Sequence, residues 1–157
     1  MSNEDKKRIT RADLLTKQKA NEGLWFPIPL PTGEDSGEKI RLIGADSAAF
    51  ERASVEHVRR MKEIEAVANE DEKRAAKVEA NIKLTASTVV DWTFDGDPCT
   101  PAAVIDTLKD APYLVDVIDS IVFDRRRFYA GASSSLPGTP KRPIDSTDQP
   151  AKDPPSP

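Results

Sequence analysis

The residue types that most often carry chemistry are scarce in this chain. It has one histidine, His57, and one cysteine, Cys99. A structural zinc site takes four Cys or His ligands, and a catalytic triad needs a nucleophile held beside a base, so these two residues cannot assemble either site. A glycine-rich phosphate loop is also missing from the sequence. The sequence therefore predicts no metal site, no cofactor and no enzyme activity.

Carboxylates are the remaining candidates for acid–base chemistry. Asp116, Asp119 and Asp124 fall within or just after one predicted helix, where their spacing distributes them around the axis instead of along one face. We interpret them as a solvated acidic surface. Three arginines follow at 125–127, near the carbonyl end of the same helix, where positive charge is stabilising. A contact with an acidic partner is the alternative for these arginines.

Composition and charge narrow the classes of protein further. Of 157 residues, 38% are hydrophobic and 32% are charged, which predicts that part of the chain stays outside a core. The formal net charge is -4, which argues against a general nucleic-acid coat. One cysteine cannot form an internal disulfide, and no apolar run reaches the roughly 18 residues of a membrane span. Because the N-terminus is polar and lacks a signal-peptide core, we expect a soluble intracellular protein.

Both ends of the chain differ from its middle. Seven of the 13 prolines fall in residues 131–157, together with three consecutive serines, which predicts a disordered tail. This tail is either an inert solubilising extension or an extended segment that binds a partner. Residues 1–21 carry six basic and three acidic side chains and few apolar ones, and they predict a flexible basic arm. A folded domain over residues 22–130 lies between them.

The folded domain begins with a predicted β-hairpin. Residues 24–31 are apolar with alternating prolines, which favours an extended segment. Residues 32–37 form a glycine-containing turn, and residues 39–43 alternate polar and apolar side chains as a half-buried strand does. Because proline lacks an N–H group, the first strand must lie at a sheet edge or be irregular.

Four helices follow the hairpin. Asp46 or Ser47 caps the first, whose apolar stripe includes Phe50, Val58 and Met61. The second runs from about Asn69 to Val90, and its apolar side chains recur at Ala75, Val78, Ile82, Ala86 and Val89. Whether residues 66–69 break this helical stretch stays open.

Proline marks the start of the last two helices. Thr100 precedes Pro101, and the same start signal recurs as Asp110-Ala111-Pro112. The third helix is predicted to end near Lys109, and the ordered part of the chain is predicted to end at Phe128. The expected fold is mainly α with a small N-terminal β-hairpin, a compact helical domain flanked by disordered ends.

The order of these segments is similar to a known family. The chain runs from the proline-rich extended segment through the hairpin, the long helical stretch ending in Asp91-Trp92, the turn Phe94-Asp95-Gly96 and two Pro-initiated helices. Over about residues 24–129 this order resembles the tail assembly chaperones of long-tailed, lambda-type bacteriophages. Each motif is loose by itself, and their order and spacing carry the resemblance.

The resemblance implies a function in virion morphogenesis. Members of this family are small, mainly helical proteins of the host cytoplasm that are not retained in the mature virion. They bind the tape measure protein, a long helical chain that aggregates readily, and recruit tail tube subunits around it. The resemblance also leaves self-association open, and it implies no small-molecule substrate and no membrane.

Five aromatic side chains are the candidate partner-binding residues. A chaperone that holds helices needs exposed apolar surface, and large aromatic side chains supply most binding energy at such surfaces. The five are Trp25, Phe26, Trp92, Phe94 and Tyr113. Each of them could instead belong to the core.

A DNA-associated packaging protein, such as a small terminase subunit, is the alternative function. It would need a helix-turn-helix with basic recognition residues. Only the basic arm and the arginines at 125–127 support it, and the acidic overall charge opposes it.

Overall fold

The computed structural model describes residues 8–129, so the predicted tail over 131–157 and the start of the predicted basic arm lie outside the described residues. Within that range the chain forms five α-helices and one three-stranded sheet, which confirms the mainly α prediction. The elements are α1 (Lys17–Glu22), β1 (Leu24–Pro29), β2 (Asp35–Leu42), α2 (Ala48–Glu65), α3 (Glu70–Ala86), β3 (Val89–Trp92), α4 (Pro101–Asp110) and α5 (Tyr113–Val122), with 3-10 turns at Arg11–Leu14 and Arg125–Arg127. No helix between residues 8 and 129 is both long and apolar enough to cross a membrane.

The sheet is antiparallel, with strand order β1-β2-β3. Ile40 at its centre lies opposite Phe26 of β1 and Trp92 of β3. β1 is therefore an edge strand, as its prolines predict. The third strand is an addition that the sequence analysis does not anticipate.

The prolines of β1 remove two N–H donors from its outer edge, at positions 27 and 29. The backbone N–H of Thr93 donates to the Lys39 carbonyl at 3.0 Å, and the N–H of Lys39 donates to Thr93 Oγ1 at 2.8 Å, so the polar backbone groups of Lys39 face β3. Because these groups alternate along an antiparallel strand, those of Ile40 face β1. The amide positions of Pro27 and Pro29 consequently point away from the sheet, where a missing N–H breaks no ladder bond.

The second predicted helix is wrong at its C-terminal end, because α3 stops at Ala86 and Val89–Trp92 is strand β3. Thr88 Oγ1 donates to the Thr85 carbonyl, and the N–H of Ile43 donates to the Thr88 carbonyl at 2.9 Å, which ties the chain to β2. The β-branched pair that follows favours an extended strand once a partner strand is available. Val89 fits the helical spacing of the buried residues of α3 only by coincidence. It is partly buried against the core as a strand residue and not as part of the helix.

The open question at residues 66–69 has a clear outcome, since α2 and α3 are separate antiparallel helices. The Asn69 side chain caps α3 by accepting hydrogen bonds from the N–H groups of Asp71 and Glu72. Val58 and Val78, which the sequence places on buried stripes, are 56% and 55% exposed. α2 packs chiefly on α3 and α1, so its stripe has no further element to cover it.

The core lies between the sheet and helices α3, α4 and α5. Its least exposed large side chains are Leu42, Leu108, Ile118, Val122 and Phe128. The alternation of β2 and the period of α5 predict most of these residues as buried.

Helix α1 and the C-terminal end of the folded domain meet at Gly44. Its N–H donates to the Ala20 carbonyl at 3.0 Å, and the N–H of Ala45 donates to the Val122 carbonyl at 3.1 Å. A Cβ at Gly44 would lie 3.0 Å from Ala20 Cβ and 3.0 Å from Phe128 Cγ. Since Ala20 is only 1% exposed, α1 belongs to the folded domain, which extends the domain before the predicted boundary at residue 22.

Candidate functional site

The five predicted aromatic residues do not form one exposed surface. Phe26 and Trp92 are buried in the core, whereas Trp25, Phe94 and Tyr113 are half-buried. Side chains alternate along β1, so Trp25 lies on the opposite side of the strand from Phe26. The other four adjoin two neighbouring cavities between the sheet and α5.

The inner cavity is a small apolar gap between the sheet and the helices α4 and α5. Trp92 and Phe94 form one wall, with their rings edge to face and 5.3 Å apart. Leu108 and Ile118 line the opposite wall. Its volume of about 20 Å³ holds nothing larger than a water molecule, so the inner cavity is part of core packing and not a ligand site.

The outer cavity is an open groove of about 320 Å³. We call it the β1–α5 groove and define it by Phe26, Pro27, Pro29, Gly33, Asp35, Val117, Ser120, Ile121 and Arg127. It shares Pro27, Pro29, Val117 and Ile121 with the inner cavity, so its floor continues directly into the core. Such a groove can accept one or two apolar side chains from a partner.

Two contacts hold the walls of the β1–α5 groove in place. Tyr113 Oη donates a hydrogen bond to the Pro29 carbonyl at 2.9 Å, which joins α5 to the edge strand. The Arg127 guanidinium lies 5.8 Å from the centre of the Phe26 ring, within cation–π distance, and 3.5 Å from an Asp124 carboxylate oxygen. The groove therefore exists before any partner binds, which lowers the ordering cost of binding.

The arginines at 125–127 lie in the 3-10 turn that follows α5, and each pairs with an aspartate of the chain. Arg125 Nε lies 3.0 Å from Asp46, and Arg126 Nε lies 2.9 Å from Asp124. The hydrogen bond from Arg126 is the main cause that lowers the pKa of Asp124 below its usual range. The Arg125–Asp46 pair joins the turn to the start of α2, a role that neither sequence interpretation of the arginines includes, whereas the pairs with Asp124 lie within the turn itself.

The aspartates of α5 are not all part of a solvated face. Asp119 is half-buried and accepts a hydrogen bond from Thr85 Oγ1 at 2.9 Å, which links α5 to α3. Burial raises the pKa of Asp119, and the nearby charge of Asp116 adds to the rise. Asp116 itself is exposed, as predicted. Asp119 has one hydroxyl partner and no base beside it, so its contacts favour a structural role.

Cys99 and His57 lie in different parts of the fold. Cys99 is half-buried, and burial raises the pKa of its thiol, which disfavours the reactive thiolate form. His57 belongs to α2 and lines the cavity between α2 and α3, and its buried Nδ1 atom has no hydrogen-bond partner in the part of the chain that the structure describes. Within residues 8–129, no three His, Cys, Asp or Glu side chains are grouped as metal ligands.

The predicted aromatic residues include Phe26, which lines the β1–α5 groove, but most of the residues that line this groove are not among the predicted five. The alternating prolines were visible as an edge signal, and Val117 and Ile121 were visible as the apolar face of the last helix. Their meeting at one groove depends on how α5 crosses the sheet, which local patterns do not specify. Apart from its charge, nothing in the sequence indicates that Arg127 lines this groove.

Comparison of the chain with protein-family models, with curated proteins and with solved structures finds no match in any of the three.

Proposed function

We propose that this protein is a tail assembly chaperone of a long-tailed bacteriophage. In the host cytoplasm it would bind the tape measure protein, keep it soluble, and help bring tail tube subunits to it. It would act by binding alone, without covalent chemistry. The proposal rests on the order of sequence segments over residues 24–129 and on the β1–α5 groove.

The β1–α5 groove is the single observation that carries the proposal furthest. The outer edge of β1 has no N–H donor at Pro27 or Pro29, so an added strand could not complete a hydrogen-bonded ladder there. The groove favours an occupant that contributes side chains and keeps its own backbone hydrogen bonds. An amphipathic helix meets both conditions, and the tape measure protein is a long helical chain.

The DNA-binding alternative receives less support. α4 and α5 are joined by two residues, a connection shorter than the three- or four-residue turn of a helix-turn-helix. The two helices carry four aspartates, Asp106, Asp110, Asp116 and Asp119, against one lysine, Lys109. Their net charge is therefore negative, and the phosphate groups of DNA would repel it. A salt-dependent shift of duplex DNA would favour this alternative over the chaperone.

Co-expression with the tape measure protein of the same phage tests the proposal. Ser120→Arg places a long charged side chain in the β1–α5 groove from an exposed position of α5. The control is Ser87→Arg at the exposed C-terminal end of α3, outside the groove. The two serines are well matched, since each donates from Oγ to the carbonyl three residues earlier.

We expect the unaltered chain and Ser87→Arg to keep the tape measure protein in the soluble fraction and to co-purify with it. Ser120→Arg should lose most of this effect, about tenfold in retained partner, while its circular dichroism and melting temperature stay unchanged. If the tape measure protein is equally soluble with and without the chain, the chaperone assignment is wrong. If only Ser87→Arg fails, the binding surface lies elsewhere.

A further inference from the structure

The antiparallel helices α2 and α3 form an arm with a second groove along it. This arm groove has a volume of about 210 Å³ and shares no lining residue with the β1–α5 groove. Its apolar lining consists of three alanines, Ala53, Ala76 and Ala80, and one larger side chain, Leu84. Small residues let another helix approach closely, so the arm groove suits helix packing better than a bulky ligand.

The register of the two helices places opposite charges across the arm groove. Glu65 Oε1 lies 2.6 Å from Lys77 Nζ near the α2–α3 loop, which aligns the helices. Further from that loop, Arg60 and Glu79 line the groove from opposite helices. The pKa of Glu79 is lowered chiefly by the hydrogen bond from Lys83, with smaller contributions from the charges of Lys109 and Arg60.

A second pair of opposite charges lies about one helical turn nearer the sheet. Glu56 of α2 and Lys83 of α3 line this part of the groove. We call Glu56, Arg60, Glu79 and Lys83 the charge quartet. Negative and positive charges alternate around it, because each helix carries one of each sign in opposite order. All four also form exposed ion pairs within their own helices: Glu56–Arg59, Arg60–Glu63 and Glu79–Lys83.

The charge quartet is complementary to a second copy of itself. If a two-fold axis runs parallel to the helices, α2 of one copy faces α3 of the other, and Glu56 meets Lys83 while Arg60 meets Glu79. If the axis runs across the helices, α2 faces α2 with its ends exchanged, and Glu56 meets Arg60. Every contact joins opposite charges in both arrangements, as a self-complementary two-fold interface requires.

We propose that the arm groove is a homodimer interface, in which the α2–α3 arms of two copies pack face to face as four helices. The alanine floor permits the close approach, and the charge quartet sets which surfaces meet. His57 also lines this groove, and its buried Nδ1 has no hydrogen-bond partner among residues 8–129. This inference does not depend on the proposed chaperone function.

The size of the arm indicates a weak, reversible dimer. α2 has 18 residues and α3 has 17, so each helix is about 26 Å long at ~1.5 Å per residue. Two such faces, each about 20 Å wide, would bury roughly 1,000 Å² in total, which is the lower end for specific interfaces. We expect a dissociation constant of roughly 10–100 μM at low salt.

Sedimentation velocity of the full chain from about 1 to 300 μM, at low salt, measures this association. In Glu79→Lys, two-fold symmetry creates two like-charge contacts in either arrangement, and the dissociation constant should rise about tenfold. The control, Lys62→Glu, reverses one exposed charge of α2 outside the groove and should change the constant less than about twofold.

Inverting the whole charge quartet gives the sharpest test. The variant Glu56→Lys, Arg60→Glu, Glu79→Lys, Lys83→Glu is again complementary to itself but meets like charges on the unaltered chain. It should dimerise alone, yet leave the sedimentation of a labelled unaltered chain unchanged. A chain that is monomeric up to 300 μM, equal effects of Glu79→Lys and Lys62→Glu, or free mixing with the inverted variant would each overturn the proposal.

Discussion

Two aspartates of the folded domain respond to their surroundings in opposite directions. Asp46 accepts a hydrogen bond from Thr16 Oγ1 at 2.7 Å and pairs with Arg125, and its pKa is lowered, first by the Thr16 bond. Asp119 is half-buried beside the Thr85 hydroxyl, and burial raises its pKa. The ionised form of Asp46 therefore stabilises the fold, whereas the ionised form of Asp119 destabilises it.

Replacing each aspartate by asparagine should change stability with opposite signs at pH 7. Asp46→Asn should lower the free energy of unfolding by about 1 kcal/mol, and Asp119→Asn, which still accepts from Thr85, should raise it by about 1 kcal/mol. The Asp46 contribution is lost as pH falls through its lowered folded-state pKa. The Asp119 penalty develops as pH rises from the unfolded-state pKa, near 3.9, to the raised folded-state pKa. Urea unfolding at several pH values checks both, and differences that persist unchanged at pH 3 would contradict this assignment.

Substitutions at Gly23 and Gly37 allow the cost of backbone strain to be measured apart from the cost of a steric clash. Both have positive φ angles, +75° and +82°. A Cβ at Gly23 would lie 2.9 Å from the Leu42 carbonyl oxygen, whereas a Cβ at Gly37 would meet nothing within 4 Å. Gly37→Ala should cost about 1 kcal/mol through φ alone, and Gly23→Ala should cost at least about 1 kcal/mol more. Equal losses in urea unfolding would mean that β2 shifts freely at Leu42.

At the scale of elements, the sequence predicts the helices and strands that are specified by neighbouring residues, such as helix caps and prolines. The caps Ser47 and Thr100 both accept their predicted hydrogen bonds, and Pro101 starts α4. β3 could not be predicted, because Val89–Trp92 is extended through pairing with β2, a strand about 50 residues earlier in the chain. The β1–α5 groove was missed for the same reason, since Pro29 and Tyr113 meet only through tertiary packing.

The prolines of β1 should protect the sheet edge from pairing with other chains. Pro27→Thr combined with Pro29→Thr restores two outward N–H donors in a strand with β propensity. We expect this variant to form larger species and bind thioflavin T on incubation at 37 °C, while Pro31→Thr, at an exposed position after β1, does neither. If the double variant stays as dispersed as the control, the edge is protected by something other than its missing donors.

At the scale of the whole molecule, the two proposals place partner binding and dimerisation on separate surfaces. The β1–α5 groove and the arm groove have no lining residue in common. Ser120→Arg should therefore weaken retention of the tape measure protein without changing the dimer dissociation constant, and Glu79→Lys should do the reverse. Pull-down and sedimentation of the same two variants measure both properties. A variant that loses both properties while folded would mean that the two surfaces are coupled.

The meeting of Ala20 and Phe128 on Gly44 has a consequence for the order of the elements along the chain. Because the two ends of the folded domain lie side by side, a linker of a few residues could join residue 129 to residue 16. New ends could then be opened at the exposed turn of Asp95 and Gly96. Such a circular permutant should keep the same helices, sheet and grooves, since its contacts depend on which elements are adjacent in space and not on which is synthesised first.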